Sequence, residues 1–379
     1  MKSYQQVFLA DANSCRAEDY RPNPDPSEEA FPAGSSEFKA PRGNSRRTEI
    51  GAGFGRSLCL RKAAVALFAL MTLSVLSLTP VKAAEQRLQV LCTTFPVYQI
   101  SRNLTRGVKG VELDLMVPAQ LGCPHNYAMT PGDARKIAEA DIIVINGLGM
   151  EGFLEDRLDS INPGVEVVDS SSGIEEVLEF GGPDSGHSEG HIQDRDSESG
   201  DHHHHALNAH LFASPRMAAL MALNISDRLS RLVPAEAELV RENGRLYSER
   251  LADLAGEFEE LVEGLENNRI VTQHGAFDYL ARDTGLEIVA TINSEGGDTL
   301  SAAGLIGLVR TIREADVGAL FTEPQYPARI GRTIASEAGI PFGELDPVAS
   351  GPEKAPLDYY ESVMRKNMRI LDELLGAVR

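Results

Sequence analysis

The stretch PAEAELVRENGRLYSERLADLAGEFEELVEGL opens at Pro234 and contains no further proline. A helix of about 30 residues reaches roughly 45 Å at 1.5 Å per residue. That is longer than one small lobe needs, so the stretch predicts a connector between two lobes. Patterning on either side agrees. Before it, RLQVLCTTFPVYQISRNL from Arg87 predicts a strand passing into a helix, and VELDLMVP from Val111 alternates as a second strand. TPGDARKIAEA places Thr130 as N-cap and Pro131 at the first helical position. The continuous apolar run DIIVINGL from Asp141 fits a strand buried on both faces of a parallel sheet. GFLEDRLDSI and VEVVDSS follow as helix and strand, and SPRMAALMALNISDRLSRL is a helix capped by Ser214 with Pro215 behind it. After the connector, RIVTQHGAFDYLARDTGLEIVATI, SAAGLIGLVRTIREADVGALFTEP and ARIGRTIASEAGIPFGELDPVAS repeat the alternation, and an amphipathic helix from Pro356 closes the chain. The expected fold is α/β: two parallel-sheet lobes, residues 84–233 and 267–379, joined by one long helix over 234–266.

The chain of 379 residues carries a formal net charge of −20, which excludes the phosphate backbone of a nucleic acid as partner and suits attraction of cations. RKAAVALFALMTLSVLSLTPVKAAEQ from Arg61 has basic residues, an apolar run over Ala63–Leu78 and small residues at Val81 and Ala83. This is the signal-peptide pattern, and the run is shorter than the roughly 20 residues a membrane span needs. Residues 56–83 are therefore expected to be an export signal, and 1–55 an extension without a core or an artefact of start assignment. Of four cysteines, Cys92 and Cys123 follow the signal. Export permits a disulfide between them; a plain buried thiol at Cys123 and a thiolate within reach of a metal ion bound at His125 are the other readings.

Residues 181–209 interrupt the alternation. HSEGHIQDRDSESGDHHHHALNAH, from His187 to His210, holds seven of the nine histidines. Up to His205 it has acids, serines and glycines but no apolar period, so its composition predicts a mobile tract. His187, His191, His202, His203, His204 and His205 are then weak, unshaped metal collectors. Three other histidines behave differently. His125 follows the second strand by a short loop, His210 immediately precedes a capped helix, and His274 directly follows a strand; Asp346 follows a strand in the same way. Ligands of parallel sheets bind beyond the strand C-termini. Three imidazoles and a carboxylate are a donor set that zinc accepts in four-coordinate geometry. The spacings are 85, 64 and 72 positions, so the site exists only once the chain has folded.

Four segments carry a resemblance over residues 86–379. VPAQLGCPHNYAMTPGDARKIAEADIIVINGLGMEGFL, NAHLFASPRMA, VTQHGAFDYLARDTGL and GELDP resemble, in order, the four ligand segments of the ZnuA-type zinc- and manganese-binding solute-binding proteins of ABC transporters. The resemblance implies the TroA-like, metal-type periplasmic binding fold. It also implies metal ligation by His125, His210, His274 and Asp346, and a non-enzymatic, monomeric protein of the periplasm or extracytoplasmic space. Its partners are an ABC permease with its ATPase. The family pattern places proline before the second histidine and an aromatic after it; here Ala209 and Leu211-Phe212 stand there, and Cys123 stands where the family has a non-thiol residue. A histidine at position 274 favours zinc as the bound ion over manganese, which prefers oxygen. Manganese or iron uptake, and a metal-binding adhesin or buffer acting without a transporter, are the alternatives. A secreted zinc hydrolase lacks support: there is no HExxH segment, and four ligands leave no open position for water.

Ordering a flexible residue costs roughly 1–2 kcal/mol of backbone entropy, so sites within the tract should be weaker than a preformed one. Deleting residues 184–205 is expected to abolish weak zinc equivalents in a calorimetric titration and to leave one tight equivalent. Loss of the tight equivalent would make the tract itself the site.

Overall fold

The computed structural model of the chain describes residues 87–124, 127–154, 157–179, 207–293 and 301–376. The proposed extension, the signal segment and the six collector histidines lie outside these residues.

The first sheet contains β1 (Leu88–Cys92), β2 (Val111–Leu115), β3 (Ile142–Ile145) and β4 (Glu166–Asp169), all parallel, in the order β2-β1-β3-β4. The second contains β5 (Arg269–Thr272), β6 (Glu287–Thr291), β7 (Ala319–Thr322) and β8 (Phe342–Glu344) in the equivalent order β6-β5-β7-β8. Strand order thus reverses direction between β1 and β3, and again between β5 and β7. Those reversals open a crevice at the C-terminal edge of each sheet, where α/β proteins bind ligands.

Helices α1 (Phe95–Leu104), α2 (Pro131–Glu139) and the short α3 (Leu158–Ile161) belong to the first alternation. α4 (Pro215–Leu232) and α5 (Ala237–Glu263) form the connection, and α6 (Asp278–Thr284), α7 (Ala302–Glu314), α8 (Ala328–Ala338) and α9 (Tyr359–Leu375) complete the second half. Local chemistry sets their starts. Thr130 makes a full capping box with Asp133 at α2, and the Ser214 hydroxyl accepts from the Met217 N–H at α4. Each such cap stabilises its helix by about 1 kcal/mol.

Two expectations need correction in detail. GFLEDRLDSI is not one helix: a 3₁₀ turn at Gly152–Leu154 precedes the four-residue α3. Its start is tied back by the Glu151 carboxylate, which accepts from the Asn146 and Gly147 N–H groups. The long connector begins with a 3₁₀ turn at Pro234–Glu236, so the α-helix proper has 27 residues.

Side chains alternate across a strand, and here the two faces serve different cores. Val90, Cys92, Ile142, Val144 and Val168 face inward, as do Ile270, Ile288, Ala319 and Phe321 of the second sheet. Both sets join one continuous core with residues of α1, α4, α5, α6 and α9. The opposite faces are covered locally. Leu91 and Ile143 pack with Ile137 of α2 and Leu154, and Val271, Val289 and Leu320 pack with α7 and α8. α5 touches helices of both halves, α1 on one side and α6 and α9 on the other. A second tie runs from the segment before α9 to α1: Gln99 Nε2 donates to the Pro356 carbonyl at 2.6 Å, Arg102 to that of Ala355 at 2.6 Å, and Asn103 to that of Leu357 at 2.9 Å. The lobes therefore share an interior rather than meeting across a wet hinge.

α4 and α5 pack tightly against each other at Gly244. A Cβ there would fall 2.3 Å from Ser226 Oγ and 2.5 Å from its Cβ. Helix propensity alone predicts that Gly244→Ala stabilises by about 1 kcal/mol. The close approach predicts the opposite sign, a loss of about 1–3 kcal/mol from overpacking, partly recovered by adding Ser226→Gly. Urea denaturation of the three proteins decides: a gain in stability from Gly244→Ala alone would contradict this packing.

Candidate metal centre

The second histidine of the site is positioned by an asparagine that sequence patterns did not single out. Asn208 is fully buried, and its Oδ1 accepts from the His210 backbone N–H at 3.0 Å and lies 2.8 Å from His210 Nδ1. Its amide nitrogen donates to the Gly275 carbonyl at 2.8 Å and to Asp278 Oδ2 at 3.0 Å. The orientation of Asn208 is thus fixed by the second lobe, and Oδ1 can only accept from Nδ1–H. That sets the tautomer and leaves Nε2 of His210 with its lone pair outward. On the other flank, Asn146 at the end of β3 donates to the Ala209 carbonyl at 2.8 Å. Just upstream, Glu179 pairs with Leu207 in an antiparallel bridge, and the Asn208 N–H donates to the Leu178 carbonyl. The two ends of the histidine-rich tract are therefore pinned side by side immediately before His210.

His274 leaves β5 two residues after its last strand residue, beside the crevice between β5 and β7. Glu323, directly after β7, places Oε1 2.6 Å from His274 Nδ1, and both side chains are buried. The contact is close but bent: neither atom has an aligned hydrogen-bond partner among the described residues. The other carboxylate oxygen, Oε2, accepts from Gln325 Nε2 at 2.5 Å. Burial depresses the His274 imidazole, but Glu323 and the neighbouring Cys123 sulfur override this and push it up to about 10. A carboxylate behind a histidine is the arrangement that orients metal-binding imidazoles and raises their basicity.

With both Nδ1 atoms held from behind, the two Nε2 atoms face each other at 3.3 Å. The rings stand nearly perpendicular, at an interplanar angle of 79°, with Phe212 against His210 and Tyr326 against His274. Cys123 joins them. One donor atom from each of Cys123, His210 and His274 lies within 4.8 Å of the others. Burial pushes the Cys123 thiol up, and His274 beside it pulls it part of the way back.

Of the four residues expected to ligate, the structure therefore brings His210 and His274 together. Asp346 is two residues beyond β8 and does not belong to that group of converging donors among the described residues. Its Oδ1 accepts from the Val348 N–H at 2.8 Å, and its backbone is clamped in both directions by Asn367. Burial raises its pKa, with Glu323 adding to the effect. Val348 itself sits at φ 65°, a left-handed conformation that a β-branched residue rarely adopts and that marks a tightly determined loop. His125 lies outside the described residues, but the motif around it is explained: Tyr127 Oη donates to Asp133 Oδ2 at 2.7 Å, and the same oxygen accepts from the Thr130 N–H. Tyr127 and Thr130 are thus fastened to Asp133 in the first turn of α2.

Both cysteines open to question in the sequence are free thiols. Cys92 is buried within β1, its thiol pushed up to about 12 by burial. Glu323, Asn208 and Asn146 are the positioning groups that sequence reasoning missed. The available signals were faint: a carboxylate one residue past a predicted strand, and an asparagine two residues before a candidate ligand.

The chain is similar to known proteins in sequence and in fold. A family model described as the periplasmic component A of zinc-uptake complexes, ZnuA, matches residues 90–374. The zinc-binding protein AdcA of Streptococcus pyogenes serotype M3 is 29% identical over 295 residues, which are 76% of this chain and 56% of AdcA. The chain thus spans little more than half the length of that relative. The high-affinity zinc uptake system protein ZnuA of Bacillus subtilis is 28% identical over 293 residues, 76% of this chain and 88% of that protein. A crystal structure of ZnuA matches with a TM-score of 0.62 at 22% identity, covering 76% of this chain and 100% of its own. FpvC of Pseudomonas aeruginosa in complex with a Ni2+ ion matches with a TM-score of 0.63 at 25% identity, covering 77% and 99%. No helix among the described residues is long and apolar enough to cross a membrane. The family match over three quarters of the chain, on two equivalent parallel sheets, shows that this protein belongs to the ZnuA family of periplasmic zinc-uptake components.

Proposed function

We propose that this chain captures a zinc ion outside the cytoplasm and delivers it to a membrane permease driven by an ATPase, with no chemical conversion of its own. The facing Nε2 atoms of His210 and His274 carry this reading. Each ring is backed at Nδ1 by an acceptor, so both Nε2 atoms converge on one buried point, and a divalent ion that displaces the proton of His274 can take both at once. Nitrogen donors with adjacent sulfur suit zinc better than manganese, which favours carboxylate and water. His125 and Asp346 are the remaining ligand candidates from the sequence. The shared interior of the two lobes supports capture with little domain closure, the loops around the ion ordering instead. The names of the relatives, a zinc-binding protein and a zinc uptake system protein, point the same way.

Removal of an outer partner of a ligating histidine typically costs roughly 10–100-fold in metal affinity. Glu323→Gln is therefore expected to weaken zinc binding within about that range, and His274→Ala to weaken it further, as measured by chelator competition. Unchanged affinity in His274→Ala would remove that residue from the site.

Imidazole binds metal only when neutral, so zinc must displace protons and affinity must fall as pH falls. The raised His274 value means that this residue still carries a proton at neutral pH and releases it on binding. Each such proton lowers affinity about tenfold per pH unit below the pKa of its group. Calorimetry in buffers of different ionisation enthalpy should register net proton release near neutral pH. Binding without proton release, with affinity flat in pH, would contradict ligation by these imidazoles.

A further inference from the structure

Zinc is expected to take four protein donors in a closed site, and the described residues already offer three that converge. The third is a sulfur. Cys123 stands in the loop beyond β2, in the first lobe, while His274 comes from the second. The residue before it explains how the sulfur is placed. Gly122 has φ +85°, and a Cβ there would meet Gln325 Cβ and Cγ at 3.2 Å each. Gln325 is the residue whose amide holds Glu323 Oε2. Glycine thus lets the first-lobe backbone lie directly against the group that supports His274, at the position next to the thiol. Any larger residue would be strained by that φ and crowded by Gln325, which would move the loop away. Among the described residues the thiol has no disulfide partner, since both Cys92 and Cys123 are free and Cys92 is a buried side chain of β1.

Resting on the zinc reading above for the ion and its histidines, we propose that Cys123 Sγ is a direct ligand of the captured ion, bound as thiolate. The S–H bond breaks on binding, its proton leaves to solvent, and the sulfur lone pair forms the bond to zinc. Sulfur then stands beside the imidazoles of His210 and His274 as the third converging donor. The Asp346 carboxylate then stays outside the inner shell, accepting from the Val348 N–H as it does here. The consequence is selectivity. A thiolate favours zinc and softer cations, such as cadmium or cuprous ion, and disfavours manganese.

X-ray absorption at the zinc edge tests this on the full chain loaded with one equivalent of zinc, alongside Cys123→Ser and Asp346→Asn. The expected wild-type shell contains one sulfur at about 2.3 Å beside nitrogen at about 2.0–2.1 Å. Cys123→Ser should lose the sulfur, and Asp346→Asn should keep it. Competition with manganese should show Cys123→Ser losing about tenfold or more of its preference for zinc. A wild-type shell of nitrogen and oxygen alone overturns the thiolate and leaves zinc capture standing, and it does so whether or not either variant folds. Sulfur retained in Cys123→Ser overturns it as well, because another cysteine then supplies the atom. Failure of the wild-type chain to take up zinc at all overturns both readings.

Discussion

Two imidazoles forced face to face are the interaction on which the rest of this structure depends. The Nε2 atoms of His210 and His274 lie 3.3 Å apart, close enough to share the proton that His274 carries. Here rotation is prevented from behind, by Asn208 on one side and Glu323 on the other, both buried. Those two groups are in turn anchored by Gly275 and Asp278 for Asn208, and by Gln325 for Glu323. These hydrogen bonds hold both Nε2 atoms on one point. A binding site prepared this way gives up little conformational freedom when it is filled.

The anchors lie on different halves of the chain, so the site's geometry is only as stable as the packing between those halves. That packing is the shared interior behind the sheets, reinforced by α5 and by the backbone carbonyls of Ala355, Pro356 and Leu357 bound to α1. Burial of a large apolar side chain contributes roughly 1.5–3 kcal/mol. Tyr247, Phe258 and Tyr360 are all fully buried in that interior. Tyr360 also donates its hydroxyl to the Phe212 carbonyl at 2.8 Å, two residues from His210.

What could be read from the sequence followed locality. Apolar runs such as DIIVINGL and the caps at Thr130 and Ser214 are decided within a few residues and stand where their patterns placed them, and the long proline-free helix forms with its first turn tightened to 3₁₀. His210 and His274 were legible because they follow or precede such elements directly. Glu323 was not, since a glutamate after a strand is ordinary until the tertiary fold sets it 2.6 Å from an imidazole 49 positions away. Asn208 hides for the same reason: its partners Gly275 and Asp278 are remote in sequence. Cys123 was visible as a departure from a family pattern, but its meaning depends on Gly122 meeting a residue of the other lobe.

The common interior also governs how the chain can come apart. The inner faces of β1 and β3 and those of β5 and β7 belong to one continuous core. A half-folded molecule with one lobe formed would present an uncovered apolar face, the kind of surface that drives chains to associate. Unfolding is therefore cooperative across both lobes, and the two halves of the chain are not separable modules. Contacts joining residues as far apart as Gln99 and Pro356 must form before either half is protected. Such long-range closure makes folding slow, because loop entropy is lost before the contacts that reward it appear.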